Sequence, residues 1–109
     1  ILIMEASEIA DIDNELETGH YGIPEPKKEF LRILNPEMLD MVIVPGICFG
    51  RDRSRIGYGK GYYDRYLKRV RDNCIKIGLA YDFQVLDDIP TSGNDIRMDM
   101  IVTESGIIS

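Results

Sequence analysis

The stretch "MVIVPGICFGRDRSRIGYGKGYYDRYLKRVRDNCIKIGLAY", Met41 to Tyr81, decides the fold. It opens on an apolar, β-branched run, Met41–Val44, closed by Pro45 and Gly46. Such runs suit strands buried on both faces. Cys48 to Gly61 reads as a loop. A helix is expected from Tyr62 to about Arg71, because Tyr63, Tyr66, Leu67 and Val70 fall at i, i+3, i+4 and i+7 and form one apolar stripe. "IKIGLAY" (Ile75–Tyr81) reads as the next strand. Strand, glycine loop, helix, strand is the signature of a βαβ unit, so a parallel α/β sheet is predicted.

Outward from this unit the signals weaken. "MDMIVTE" (Met98–Glu104) reads as a further strand. "TGHYGIPEP" (Thr18–Pro26) is full of breakers, and its two prolines forbid regular structure there. Glu5 to Glu17 is acidic and weakly patterned, consistent with a loop carrying one helical turn. Ile1 to Met4 reads as a short buried strand, and the sequence opens on it without an initiator methionine, so residues upstream of Ile1 are expected in the parent protein. The chain of 109 residues, 44% apolar, is expected to form a single α/β domain.

Charge is unevenly spread. The net charge is −6, yet Arg51 to Arg71 holds eight bases against two acids, and the remainder holds five bases against seventeen acids. An acidic protein is a poor non-specific ligand for nucleic acid. A basic cluster inside it points to a small anion. No apolar run is long enough to span a bilayer, and no basic segment followed by an apolar one marks a secretory signal. Cys48 and Cys74 match no metal-ligand spacing and read as reduced thiols of a cytoplasmic protein.

The basic cluster surrounds Gly57, Gly59 and Gly61, which alternate with Tyr58 and Lys60. Glycines allow positive φ and close approach of the backbone to a ligand. Exposed amides favour anions, Lys60 adds a mobile positive charge, and Arg55 adds a fork that fits a phosphate. The spacing is neither a Walker loop nor G-x-G-x-x-G. A solvated arginine face beside a plain strand-to-helix turn is the competing reading. Asp64 falls in the first turn of the predicted helix, either as a dipole partner or as an oxygen ligand for Mg²⁺. Asp95 and Asp99, in "GNDIRMD", are two further acids beside a strand.

The ordered run "DMVIVPGICFGRDRSRIGYGKGYYDRYL" (Asp40–Leu67) resembles the signature of the 5-formyltetrahydrofolate cyclo-ligases, also called methenyltetrahydrofolate synthetases. The flanks "YGIPEP", "IGLAYDFQ" (Ile77–Gln84), "IPTSGNDIRMD" (Ile89–Asp99) and "IVTE" (Ile101–Glu104) agree with it. The resemblance implies a Rossmann-like, mostly parallel sheet with flanking helices. It also implies ATP- and Mg²⁺-dependent conversion of 5-formyltetrahydrofolate to 5,10-methenyltetrahydrofolate, with release of ADP and phosphate. Carried over by position, Arg55, Ile56, Gly57, Tyr58, Gly59, Lys60, Gly61, Tyr62 and Tyr63 match the ATP-binding segment. Tyr58 to Tyr62 also border the folate, and Lys60 and Arg55 are the candidate catalytic cations. Asp64 matches one Mg²⁺ ligand and Asp95 the second, with Asp99 the chemical alternative. Gln84 is expected near the site. The family's N-terminal part, with a basic helix and folate contacts, has no match here. The chain is thus expected to be a C-terminal portion, inactive alone. A non-catalytic nucleotide- or folate-binding relative with a regulatory role is the alternative, and two metal acids favour the enzyme over it.

Overall fold

In the computed structural model, residues 3–91 and 96–109 are described. Regular structure begins with a four-residue turn of helix, α1 (Ile12–Glu15), capped by the Asp11 carboxylate on the Asp13 amide. An antiparallel pair follows, β1 (Leu16–Thr18) and β2 (Pro24–Pro26). The stretch from Thr18 to Pro26, expected to hold no regular structure, thus supplies the end of β1 and all of β2. Among the described residues the two-proline strand meets only β1, and a strand edge is where proline's missing donor does least harm. Ile3 and Met4 form no strand, and Ile3 is exposed, so the buried strand expected there is absent from its described half; Ile1 and Leu2 lie outside the described residues.

The aliphatic runs form the main sheet. β3 (Met41–Val44) leads through two short strands, β4 (Cys48–Gly50) and β5 (Arg55–Ile56), into α2 (Tyr62–Leu67). β6 (Ile75–Leu79) then pairs parallel with β3, Val44 opposite Gly78. After β7 (Val85–Leu86), β8 (Met100–Thr103) pairs parallel with β6, and β9 (Gly106–Ile108) closes an antiparallel hairpin on β8. The order is β3-β6-β8-β9. A second sheet, β5-β4-β7, stands beside it, with β4 antiparallel to β5 and parallel to β7. Among the described residues the architecture is therefore α/β with mixed sheets. The segment read as loop from Cys48 to Gly61 contains β4 and β5, which are too short to show a period of two. Their turn is built by Asp52, whose Oδ1 accepts from the Ser54 amide at 3.1 Å and hydroxyl at 2.5 Å.

One row crosses the main sheet on its covered face: Val44, Gly78, Ile101 and Ile108. Phe49 lies on this row, fully buried, with Leu67, Val85 and Met98 around it. Tyr66 and Leu67 bury the predicted apolar stripe of α2. The helix ends at Leu67, short of the expected Arg71. The Lys68 amide bonds back to the Arg65 carbonyl at 3.3 Å, and Arg71 is drawn away to the Leu39 carbonyl at 2.9 Å and the Asp40 carboxylate at 2.6 Å.

Candidate functional site

β3 delivers its chain to Pro45 and Gly46 at the C-terminal end of the parallel strands, where open α/β sheets place ligands. Three side chains hold that corner. Arg55 Nη1 donates to the Pro45 carbonyl at 3.0 Å. Gln84 Nε2 donates to the carbonyls of Gly46 (3.1 Å) and Ile47 (3.0 Å), while its Oε1 accepts from the Tyr81 amide. The Tyr58 hydroxyl reaches the Gly46 carbonyl at 3.4 Å. Gln84 thus sits near the site as expected, as a clamp on the loop that follows β3.

From β5 the chain turns over the corner. Gly59 (φ +94°) and Gly61 (φ +71°) hold the left-handed backbone that their alternation predicted, and Gly61 is the N-cap of α2. Gly57 serves differently: a Cβ there would lie 2.8 Å from Arg55 Nη1. Asp64, in the first turn of α2, accepts from Arg55 Nη2 at 3.0 Å through Oδ1. The Arg55 guanidinium also lies over the Tyr63 ring, 5.9 Å from its centroid.

These residues enclose a cavity of about 880 Å³, lined by every residue from Arg55 to Tyr63 and by Asp64. The nine residues expected to hold ATP, five of them also expected to border the folate, therefore share one wall. Tyr62 and Tyr63 both reach the cavity, and Tyr63 also packs against the core. Tyr21, Ile23, Pro90 and Thr91 complete the lining. Their contribution was missed, because only the fold brings distant segments together; "YGIPEP" was the one upstream signal.

The basic cluster resolves into two kinds of residue. Arg51, Arg55, Arg69 and Arg71 pair with Asp87, Asp64, Glu5 and Asp40. Arg65 donates to the Lys60 carbonyl and lies over the Tyr62 ring. Lys60 is exposed on the cavity wall and has no ion pair among the described residues. Most of the arginines are thus structural, and Lys60 is the cation left for an anion in the cavity.

Of the metal candidates, Asp64 lines the cavity and keeps one carboxylate oxygen without a hydrogen bond among the described residues. That fits a single-carboxylate contact to Mg²⁺, which takes its other ligands from water and phosphates. Asp95 lies outside the described residues. Asp99 accepts from the Lys76 amide at 2.7 Å and stands 3.7 Å from its ammonium, at the N-terminal ends of β6 and β8 and so away from the cavity. No group of three potential ligands converges among the described residues.

Comparison with known proteins bears on the family and the fold. The family model described as the 5-formyltetrahydrofolate cyclo-ligase family matches residues 2–104. A probable 5-formyltetrahydrofolate cyclo-ligase of Schizosaccharomyces pombe is 33% identical over 118 residues, covering 97% of this chain and 58% of that protein. The solution structure of a 5,10-methenyltetrahydrofolate synthetase from Aquifex aeolicus superposes with a TM-score of 0.72 at 44% identity, over 86% of this chain and 46% of the other. A 5,10-methenyltetrahydrofolate synthetase from Mycoplasma pneumoniae gives 0.62 at 35% identity, over 72% of this chain and 46% of the other. The chain thus spans about half the length of the relatives it matches.

Proposed function

We propose an activity from one premise: this chain belongs to the 5-formyltetrahydrofolate cyclo-ligase family. The whole protein converts 5-formyltetrahydrofolate to 5,10-methenyltetrahydrofolate, using ATP and releasing ADP and phosphate. The carrying observation is the single cavity lined without a break from Arg55 to Asp64 at the end of β3. A cytoplasmic enzyme with a Rossmann-like arrangement is the fitting context, and the parallel β3-β6-β8 core supports that arrangement.

The chemistry follows from what an amide-like oxygen lacks. It is a poor leaving group, and phosphorylation by ATP makes it a good one. N10 of the folate then attacks the activated formyl carbon, and phosphate departs as the five-membered ring closes. This chain's part is to position and to balance charge. The amides of Gly57 to Gly61 border the phosphates, and Lys60 meets the negative charge of the transferring phosphoryl. Tyr58 and Tyr62 offer aromatic faces to the planar parts of folate or nucleotide. Mg²⁺, when bound, would neutralise phosphate charge, and Asp64 is the described residue that would hold it, with Asp95 the proposed second.

The test is turnover by the full-length protein, read as the near-ultraviolet absorbance of methenyltetrahydrofolate. Absorbance should rise only with ATP and Mg²⁺ together. Lys60→Met should lower kcat/KM about tenfold to a hundredfold with its melting temperature unchanged, since a charge-assisted hydrogen bond contributes roughly 1.5–3 kcal/mol. An absorbance rise without ATP, or full activity in Lys60→Met, would refute the assignment.

A further inference from the structure

We propose that Arg55 is a positioning residue: it fixes the Asp64 carboxylate and the Pro45 carbonyl at the cavity wall and does not itself grip the anion. The proposal rests on the reading of the cavity as an ATP site. Arg55 borders the cavity, yet its side chain is only 3% exposed. Both terminal nitrogens are engaged, one by Pro45 and one by Asp64, and Nε is buried with no partner among the described residues. Two glycines keep the slot open for it, because a Cβ at Gly46 would sit 3.0 Å from Arg55 Cγ and one at Gly57 would meet Nη1.

Each terminal nitrogen keeps a second N–H, but with the side chain 3% exposed those donors reach a phosphate only if the guanidinium shifts out of its slot. That shift strains or breaks one of its two hydrogen bonds and leaves a buried charge or carbonyl uncompensated. Lys60 meets a phosphate with no such loss. The bidentate fork suggested by the arginine itself is therefore used inward. One arm ties the end of β3 and the other ties the first turn of α2. Asp64 is held by one oxygen and so presents the other in a fixed orientation.

Calorimetry on the full-length protein separates the two roles, with ATP titrated in Mg²⁺ and in EDTA. Arg55→Lys keeps the charge but cannot span both partners; Arg55→Gln is carried beside it in case the site rejects an ammonium. Affinity for metal-free ATP should stay within about twofold of the parent, while the gain conferred by Mg²⁺ should fall about fivefold or more in the Arg55 variant and in Asp64→Asn. The double variant should be no worse than the poorer single one, because both act through one carboxylate. Hydrogen exchange of the ligand-free protein should speed up at residues 46–47 and 57–64 and nowhere else. If Arg55→Lys weakens metal-free ATP about tenfold, as direct phosphate contact would, or if exchange at those residues is unchanged, the positioning role is overturned. Should the parent bind no ATP at all, the proposed function fails, and exchange alone still decides the role of Arg55.

Discussion

The hydroxyl of Tyr66 is buried in α2 with no hydrogen-bond partner among the described residues, beneath the Arg69 guanidinium at 5.4 Å from its ring. A buried hydroxyl with no partner keeps its desolvation cost and gains nothing in return. Tyr66→Phe is therefore expected to be neutral or to stabilise by up to about 1 kcal/mol. Burial also raises the phenol above its ordinary value of 10, and the nearby Arg69 opposes this less strongly. The folded state thus holds the phenolic proton more tightly than the unfolded chain. The corresponding stability is fully present below pH 10 and is lost as pH rises through the folded value. Urea melts of the two proteins at neutral pH and above pH 10 check both effects. A clear loss of stability at neutral pH would show that the hydroxyl has a partner, and an identical alkaline decline would show that Tyr66 does not titrate on unfolding.

At the scale of elements, β3, β6 and β8 were legible because apolar runs bounded by Pro45, Gly46 and Asp99 leave few alternatives. α2 was legible from its stripe, but its end was not, since the Arg71 contacts with Leu39 and Asp40 are set by tertiary structure. β4, β5 and β7 hold two or three residues each and carry no periodic signal. The contiguous wall of the cavity was readable as a glycine motif; the inward turn of Arg55 was not, because burial and a partner nine residues away decide it. Gly78 illustrates the same limit. In sequence it weakens a strand, whereas in the fold it makes room for Phe49, whose Cε1 would lie 2.5 Å from an added Cβ. Both residues are buried and Phe49 is fully enclosed. Gly78→Ala should cost roughly 1–3 kcal/mol through overpacking, and pairing it with Phe49→Leu should recover part of that loss. Equal losses in the single and double variants, measured by chemical denaturation, would exclude the Phe49 contact as the cause.

At the scale of the molecule, the main sheet has two unlike faces. Strand registers place Met41 beside Ile75; Ile43 beside Ile77 and Met100; and Leu79 beside Val102 and Ile107. This second face is wholly apolar, and Met41, Ile43, Leu79 and Ile107 are each at least half exposed. Strands of a parallel sheet are apolar on both sides because both sides are normally covered. An apolar patch of this extent drives association when it meets water. Among the described residues β3 also lies at the edge of its sheet, with β6 as its one partner, and offers unpaired backbone groups to a second strand. A net charge of −6 opposes association only weakly once salt screens it. Residues 1–109, prepared as a separate polypeptide, should therefore self-associate in sedimentation and bind a hydrophobic dye. Ile43→Lys with Leu79→Lys should reduce both. Because the two side chains are 57% exposed, the core beneath should lose little stability. If the unaltered polypeptide sediments as a monomer and leaves the dye dark, the face is covered within these residues and the asymmetry of the sheet has another cause.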